Sequence, residues 1–430
     1  GVKYAMRLIP SGILSGHTIG VIGNGVAAVG CIEGIRSVDK ETPITVVSGE
    51  KHPVYCRPLI SYYLEGATDL EKMNYRPADF YEANGCTVLY GRKAVSLDEK
   101  KKQVTLDDGE TLDFTAVCVA TGSAPFVPPM KGLESVPESF AFMTLDDTLA
   151  LERAIKPDSR VLIVGAGLIG LKCAEGLHGR VGRITVCDLA PRVLSSILDD
   201  ECASRMQARL EENGIEFLLG DTVSEFIGPH ATMQSGANVD FDILVVAVGV
   251  RANTALVKDA GGEVGRGISV DERLATTLPS VYAAGDCTEG FDSSLGAKRV
   301  LAILPNAYMQ GHCAGVNMAG GDERFDNAIP MNSIGFFGLH AITAGSYFTE
   351  ADGGEMIEEK DSTSLKRMFV KDGRLTGYIM IGNVARAGIY TALIRNKTPL
   401  DEINFDVMKL SPTLFAYSEK SRRKMLGGVV

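Results

Sequence analysis

Two stretches of this chain, "GNGVAAVGCIEGIRSVDKETPITVVSGE" at 23–50 and "GAGLIGLKCAEGLHGRVGRITVCD" at 165–188, follow one plan. Each opens on a glycine-rich turn, continues as an amphipathic helix and ends in an apolar run closed by an acid. In the first, "TIGVIGNGVAA" gives a short strand running into G-x-G-x-x-A at Gly23, Gly25 and Ala28. Gly23 permits the tight turn, Gly25 lets the backbone approach a pyrophosphate, and Ala28 is small enough for helix to pack on strand. The phosphates then rest on the exposed N–H groups and positive dipole of the helix start. "ITVVSGE" reads as the next strand and brings Glu50 to where a carboxylate accepts two ribose hydroxyls. The second unit repeats this at Gly165, Gly167 and Gly170, with Leu168 and Ile169 opening its helix and Asp188 ending its second strand. An acid there favours a free 2′-hydroxyl and repels a 2′-phosphate, so NADH is expected over NADPH, a preference that nearby Arg192 softens. One such turn alone is weak evidence. Two complete units predict two dinucleotides, one handing its hydride to the other.

The bulk numbers narrow the class. A chain of 430 residues, 45% hydrophobic and 23% charged, is an ordinary soluble globular protein with room for two to four domains. A net charge of −11 argues against broad binding to nucleic acid or acidic membranes. The basic run "EKSRRK" reads as a solvated segment. No apolar stretch reaches the roughly 18–20 residues of a membrane helix, and the opening segment, broken by Pro10 and Gly12, makes no convincing secretory signal. Nine cysteines form no C-x-x-C pair, so neither a zinc site nor a dithiol motif is written here. Cys118 and Cys187 sit in apolar runs as small hydrophobes, a usage that suits a reducing cytoplasm. Six scattered histidines and no His/Cys/Asp cluster predict no metal.

Three further segments sharpen the picture. "FTAVCVATGSAPFVPP" places Ala120, Thr121 and Gly122 after a buried strand; "DILVVAVGVRANTAL" ends a strand at Val248 and Gly249; "TTLPSVYAAGDC" ends one just before Asp286. With the two glycine turns, they resemble the FAD/NAD-binding pyridine nucleotide-disulfide oxidoreductase superfamily. The match is to its rubredoxin reductase, ferredoxin reductase and NADH oxidase branch, with the flavin portion of nitrite reductase, and runs from about Gly20 to Leu400. The resemblance implies an α/β fold of two Rossmann-like three-layer domains plus a small α+β C-terminal domain. The FAD domain is then split (1–142 and 252–328), the NAD domain is inserted (143–251), and 329–430 form an interface domain. It also implies FAD on the first turn with Asp286 at its ribityl–phosphate region, NAD(P)H on the second turn, and a helix starting near Asn306 whose N-terminus faces the flavin pyrimidine. The turn "KDGR" between two alternating runs signals a hairpin on its own physics.

The segment "VYCRPLISYYLEG" follows the family pattern Y-x-R-P-x-L-S-K at Tyr55, Arg57, Pro58 and Ser61, which sets Arg57 and Pro58 beside FAD. It departs at Tyr62, where ferredoxin-reducing relatives carry Lys. "GLIGLK" departs again at Lys172, where the family has the Glu that pairs with that Lys. The two departures read as one change, a cation moved to the opposite partner, where it would stabilise reduced anionic flavin; alternatively Lys172 faces solvent. Cys56 raises a further choice. It is a bystander or, as in relatives acting on oxygen, peroxide or disulfides, a redox thiol, although those keep their Cys nearer the place of Pro58. The leading expectation is an FAD-dependent oxidoreductase taking a hydride from NADH and reducing a small carrier such as rubredoxin, ferredoxin or an iron–sulfur partner. An NADH oxidase or peroxidase using Cys56, and a non-catalytic NADH-sensing flavoprotein, are the alternatives. A homo-oligomer such as a dimer, or a subunit of a redox complex, is expected.

Overall fold

The computed structural model of the chain describes residues 18–425; the opening segment with Pro10 and Gly12 lies outside the described residues. The principal helices, in chain order, are α1 (Val26–Val38), α2 (Ile60–Glu65), α3 (Leu145–Ala154), α4 (Leu168–Leu177), α5 (Asp200–Glu212), α6 (Leu304–Met318) and α7 (Ala387–Arg395).

Two parallel sheets carry the glycine turns. The first runs Val281–Ala283, Ala116–Val119, Ile19–Ile22, Ile44–Ser48, Cys86–Tyr90 across its width. The second runs Ile215–Leu219, Arg183–Asp188, Arg160–Val164, Ile243–Val246, Ser139–Phe140. Their central strands, such as "AVCV" and "ILVV", are apolar throughout because both faces are covered. In each sheet the glycine turn follows the strand flanked by the next parallel strand on one side and by a much later strand on the other, the switch point where open α/β sheets bind ligands.

Helices α1 and α6 lie backbone to backbone. A Cβ on Gly30 would come 2.3 Å from the Tyr308 carbonyl oxygen, one on Gly34 2.2 Å from that of His312, and one on Gly315 2.1 Å from that of Cys31. The early and late parts of the first sheet's unit are therefore locked by glycines from both helices.

The third sheet is antiparallel: Met331–Phe336, Leu339–Gly345, Arg374–Ile381, Leu365–Lys371, Glu355–Lys360. "KDGR" is one of its two-residue turns: Lys371 pairs with Arg374, and Asp372 and Gly373 both have positive φ (52° and 70°), as a two-residue hairpin needs. One face of this sheet, with Ile334, Phe336 and Ile381, packs into the core of the second unit, and the other, with Tyr378 and Met380, takes α7. That second core also receives Tyr55, Ile60, Leu64 and Met73 from the segment after the first unit's acid. Among the described residues no helix is long and apolar enough to cross a membrane, and the basic run at 419–424 lies in a short helix with no buried residue.

Candidate functional site

The first turn is shaped by what it excludes. Gly23 has φ +118°, and a Cβ there would sit 1.9 Å from the Ala120 carbonyl oxygen. Gly25, which precedes α1, faces open space, and Ala28 is fully buried against the sheet. The second turn matches it: Gly165 has φ +120° with the Ala247 carbonyl 2.0 Å from a would-be Cβ, Gly167 faces open space, and a Cβ on Gly170 would meet the Gly165 carbonyl at 1.9 Å. Leu168 and Ile169 follow, half-buried, at the start of α4. Each turn is thus a pinched bend with an open front at the positive end of a helix, the form that receives a pyrophosphate.

Around the first turn the structure gathers the residues expected there. Ala120, Thr121 and Gly122 leave the adjacent strand, and Thr121 exchanges hydrogen bonds with Asn253, donating to its carbonyl at 2.9 Å and accepting from its amide at 2.8 Å. Glu50 accepts from the Tyr55 hydroxyl at 2.6 Å and from Arg57 at 3.1 Å. Arg57 also donates to the Met143 carbonyl at 2.8 Å, while Pro58 lies in the middle of the short turn Arg57–Leu59. Burial pushes the Asp286 carboxyl above the ordinary aspartate value, with the Arg57 charge opposing. No hydrogen bond engages that carboxyl among the described residues. Asn306, inside the first turn of α6, donates to the Ile329 carbonyl at 3.0 Å, while its buried side-chain oxygen has no partner. A bent backbone front, an unengaged half-buried carboxyl and an orphan buried amide oxygen fit a large polyhydroxylated ligand with a pyrophosphate at its middle.

At the second turn the Asp188 carboxylate accepts from the backbone N–H of Ala166, within the glycine turn, at 2.7 Å and from that of Ala190 at 2.8 Å. Arg192 points elsewhere: it donates to the Leu198 and Ser195 carbonyls and pairs with Asp200 at 2.9 Å. The cation that was expected to soften the acid's preference is engaged away from it. Val248 and Gly249 lie beside the turn, the first 37% exposed, and a narrow crevice between the units is lined by Ile169, Phe142, Val246 and Gly249.

The two departures from the family pattern meet. Lys172 lies 5.7 Å from the Tyr62 ring centre and 4.4 Å from that of Phe336. It does not face solvent, nor is its charge free. Its ammonium donates to Glu175 at 3.1 Å and to the Gly335 carbonyl at 2.7 Å. The other Glu175 oxygen accepts from Phe337 N–H at 3.1 Å, and Arg209 donates to the Phe337 carbonyl at 2.8 Å, so the second unit grips the hairpin tip of the third sheet. Sequence reading missed Glu175, although Lys and Glu three residues apart on a helix are a recognisable pair. Cys56 sits half-buried with its thiol pushed up by burial. Among the described residues no group of three or more His, Cys, Asp or Glu is placed to hold a metal.

Two dinucleotide folds and an antiparallel third domain in one chain define a two-dinucleotide oxidoreductase. Residues 17–311 match the pyridine nucleotide-disulphide oxidoreductase family model, and the chain belongs to that family. It is an NAD(P)H-dependent flavoprotein oxidoreductase with FAD and NADH as its cofactors. It is similar to the NADH-dependent phenylglyoxylate dehydrogenase subunit epsilon of Aromatoleum evansii, 33% identical over 392 residues, which cover 88% of this chain and 92% of the relative. It is also similar to the NADH oxidase of Methanocaldococcus jannaschii, 30% identical over 395 residues, 84% of this chain and 87% of the relative. The matching chain of the covalent putidaredoxin reductase–putidaredoxin complex shares the fold, with a TM-score of 0.83 at 21% identity over 96% of this chain and 98% of that one.

Proposed function

We propose that this protein takes a hydride from NADH and passes the electrons to a small one-electron carrier, a rubredoxin, a ferredoxin or an iron–sulfur partner subunit. When bound, FAD supplies the change from a two-electron donor to one-electron acceptors. The rest falls to the chain's residues. Gly23, Gly25, Ala28, Glu50, Arg57, Pro58, Ala120–Gly122, Asp286 and Asn306 hold FAD. Gly165, Gly167–Gly170, Asp188, Val248 and Gly249 hold NADH. We divide the chain accordingly into a split FAD-binding domain (1–142 and 252–328), an NAD-binding insertion (143–251) and a C-terminal domain.

One observation carries the choice of acceptor. Burial pushes the Cys56 thiol above its ordinary value, and all nine cysteines are free, seven of them buried, so no paired or low-pKa cysteine is set out to relay electrons. The relative named as a subunit of a larger dehydrogenase supports an exit through a protein partner. The relative named an NADH oxidase favours a second reading, turnover with oxygen or peroxide. Anaerobically NADH-reduced protein, mixed with oxidised rubredoxin or two-cluster ferredoxin, is expected to be reoxidised about tenfold or more faster than by air-saturated buffer. Faster reoxidation by oxygen, abolished in Cys56→Ser, would establish the oxidase reading instead.

A further inference from the structure

The loop that follows the first unit's acid holds the point where the chain enters α3. Tyr55 is 7% exposed, and its hydroxyl donates to Glu50 at 2.6 Å while accepting the Leu145 N–H at 2.9 Å. Arg57 makes the same span beside it, from the other Glu50 oxygen at 3.1 Å to the Met143 carbonyl at 2.8 Å. His52 adds a third contact, its Nε2 2.7 Å from Asp146 Oδ1. The residue between, Thr144, is fixed by its own capping box with Asp147. Residues 143–146 therefore have little freedom except to move with 52–57.

Glu50 is the hub of this arrangement. A tyrosine hydroxyl has a single proton, so while Glu50 takes it, the oxygen lone pairs are what Leu145 N–H meets. An ionised acceptor polarises the hydroxyl and makes it a better acceptor in turn. A carboxylate has about four lone-pair sites. Tyr55 and Arg57 use two, leaving two for ribose hydroxyls. A ligand at Glu50 thus touches the seat of residues 143–146 through one intervening side chain.

We infer that Tyr55 is a positioning residue, coupling the adenosine end of FAD, through Glu50, to the seat of residues 143–146 and so to the alignment of the nicotinamide-binding unit. This rests on the reading that Glu50 faces the FAD ribose. A purely structural Tyr55 would stabilise the fold equally with and without FAD; a coupling one makes order at Leu145 depend on FAD.

Hydrogen–deuterium exchange at the Leu145 amide, in apoprotein and FAD-loaded protein, separates the two. In the wild type FAD is expected to slow that exchange about tenfold. In Tyr55→Phe, FAD still binds with a Kd within about threefold, the FAD-dependent slowing falls below about twofold, and flavin reduction at saturating NADH slows about fivefold. Equal slowing by FAD in both proteins, or none in the wild type, overturns the coupling. Glu50→Gln with unchanged FAD affinity overturns the underlying reading of Glu50 instead. Should Tyr55→Phe not fold, the wild-type comparison decides alone: a Leu145 amide whose exchange FAD leaves unchanged overturns the coupling.

Discussion

Lys172 and Gly335 are 163 positions apart in the chain, yet the ammonium of one lies 2.7 Å from the carbonyl oxygen of the other. With Glu175 at 3.1 Å on its own helix, Lys172 is a neutralised tie between the second unit and the third sheet.

Lys172→Met is therefore expected to affect stability more than the flavin. It leaves a mostly buried carboxylate (Glu175, 12% side-chain exposure) without its counter-charge and the Gly335 carbonyl without its Lys172 donor, a loss of about 1–3 kcal/mol. Thermal unfolding should show a clear drop, with the FAD midpoint potential shifted by less than about 10 mV, under half a kcal/mol for a two-electron couple. A potential fall of several times that, with unchanged melting, would return Lys172 to the flavin.

The two open turns yield a contrast in glycine chemistry. Gly167→Ala places a methyl in open space at an ordinary φ of −82°, so stability should change by about 1 kcal/mol or less. NADH affinity should fall about tenfold, because the methyl occupies the approach of the pyrophosphate. Gly165→Ala, at φ +120° and 2.0 Å from the Ala247 carbonyl, should cost about 3 kcal/mol or more. Calorimetry and titration with NADH on both variants check the pair.

Asp188→Ala should narrow the preference for NADH over NADPH by about tenfold in kcat/KM, on the order of 1.4 kcal/mol. It should also raise the KM for both nucleotides, since the Ala166 N–H within the turn loses its acceptor. Stopped-flow flavin reduction with each nucleotide distinguishes the effects. A variant that loses NADH affinity but keeps its selectivity would show the turn contact to be the sole role of Asp188.

Acid should loosen the joint between the second unit and the third sheet. Burial raises the Asp199 carboxyl, but the N–H of Cys202 and the Arg367 guanidinium outweigh it and hold it below the ordinary value near 3.8. A carboxyl lowered by folding contributes stability above its unfolded value, lost as pH falls through the lower folded one. The melting temperature is thus expected to drop below about pH 4. Asp199→Asn, which keeps a good cap for α5, should melt lower near neutrality and show a shallower acid drop. Identical pH profiles would remove Asp199 from the effect.

What sequence could show was local. Glycine turn, helix, strand and closing acid lie within about thirty residues of one another, so Gly23–Glu50 and Gly165–Asp188 could be read directly. "KDGR" was legible for the same reason. The Tyr55–Leu145 contact spans 90 positions and Lys172–Gly335 163, and no periodicity carries such pairings. Arg192 illustrates a different limit: its nearness to Asp188 in sequence was plain, but two carbonyls of the following loop and Asp200 at the start of α5 decide where it points.

The backbone contact of α1 with α6 has a consequence for synthesis. Residues 160–246 can complete the second parallel sheet's main strands while α6 is still unmade, whereas the first sheet lacks its strand at 281–283 and its helix at 304–318. On the ribosome the inserted unit can close before the unit it interrupts. Until residue 318 emerges, Gly30 and Gly34 form an exposed strip that awaits a specific partner. That interval is when the nascent protein is most open to misassociation, and larger side chains on the strip would leave α1 intact while denying α6 its place.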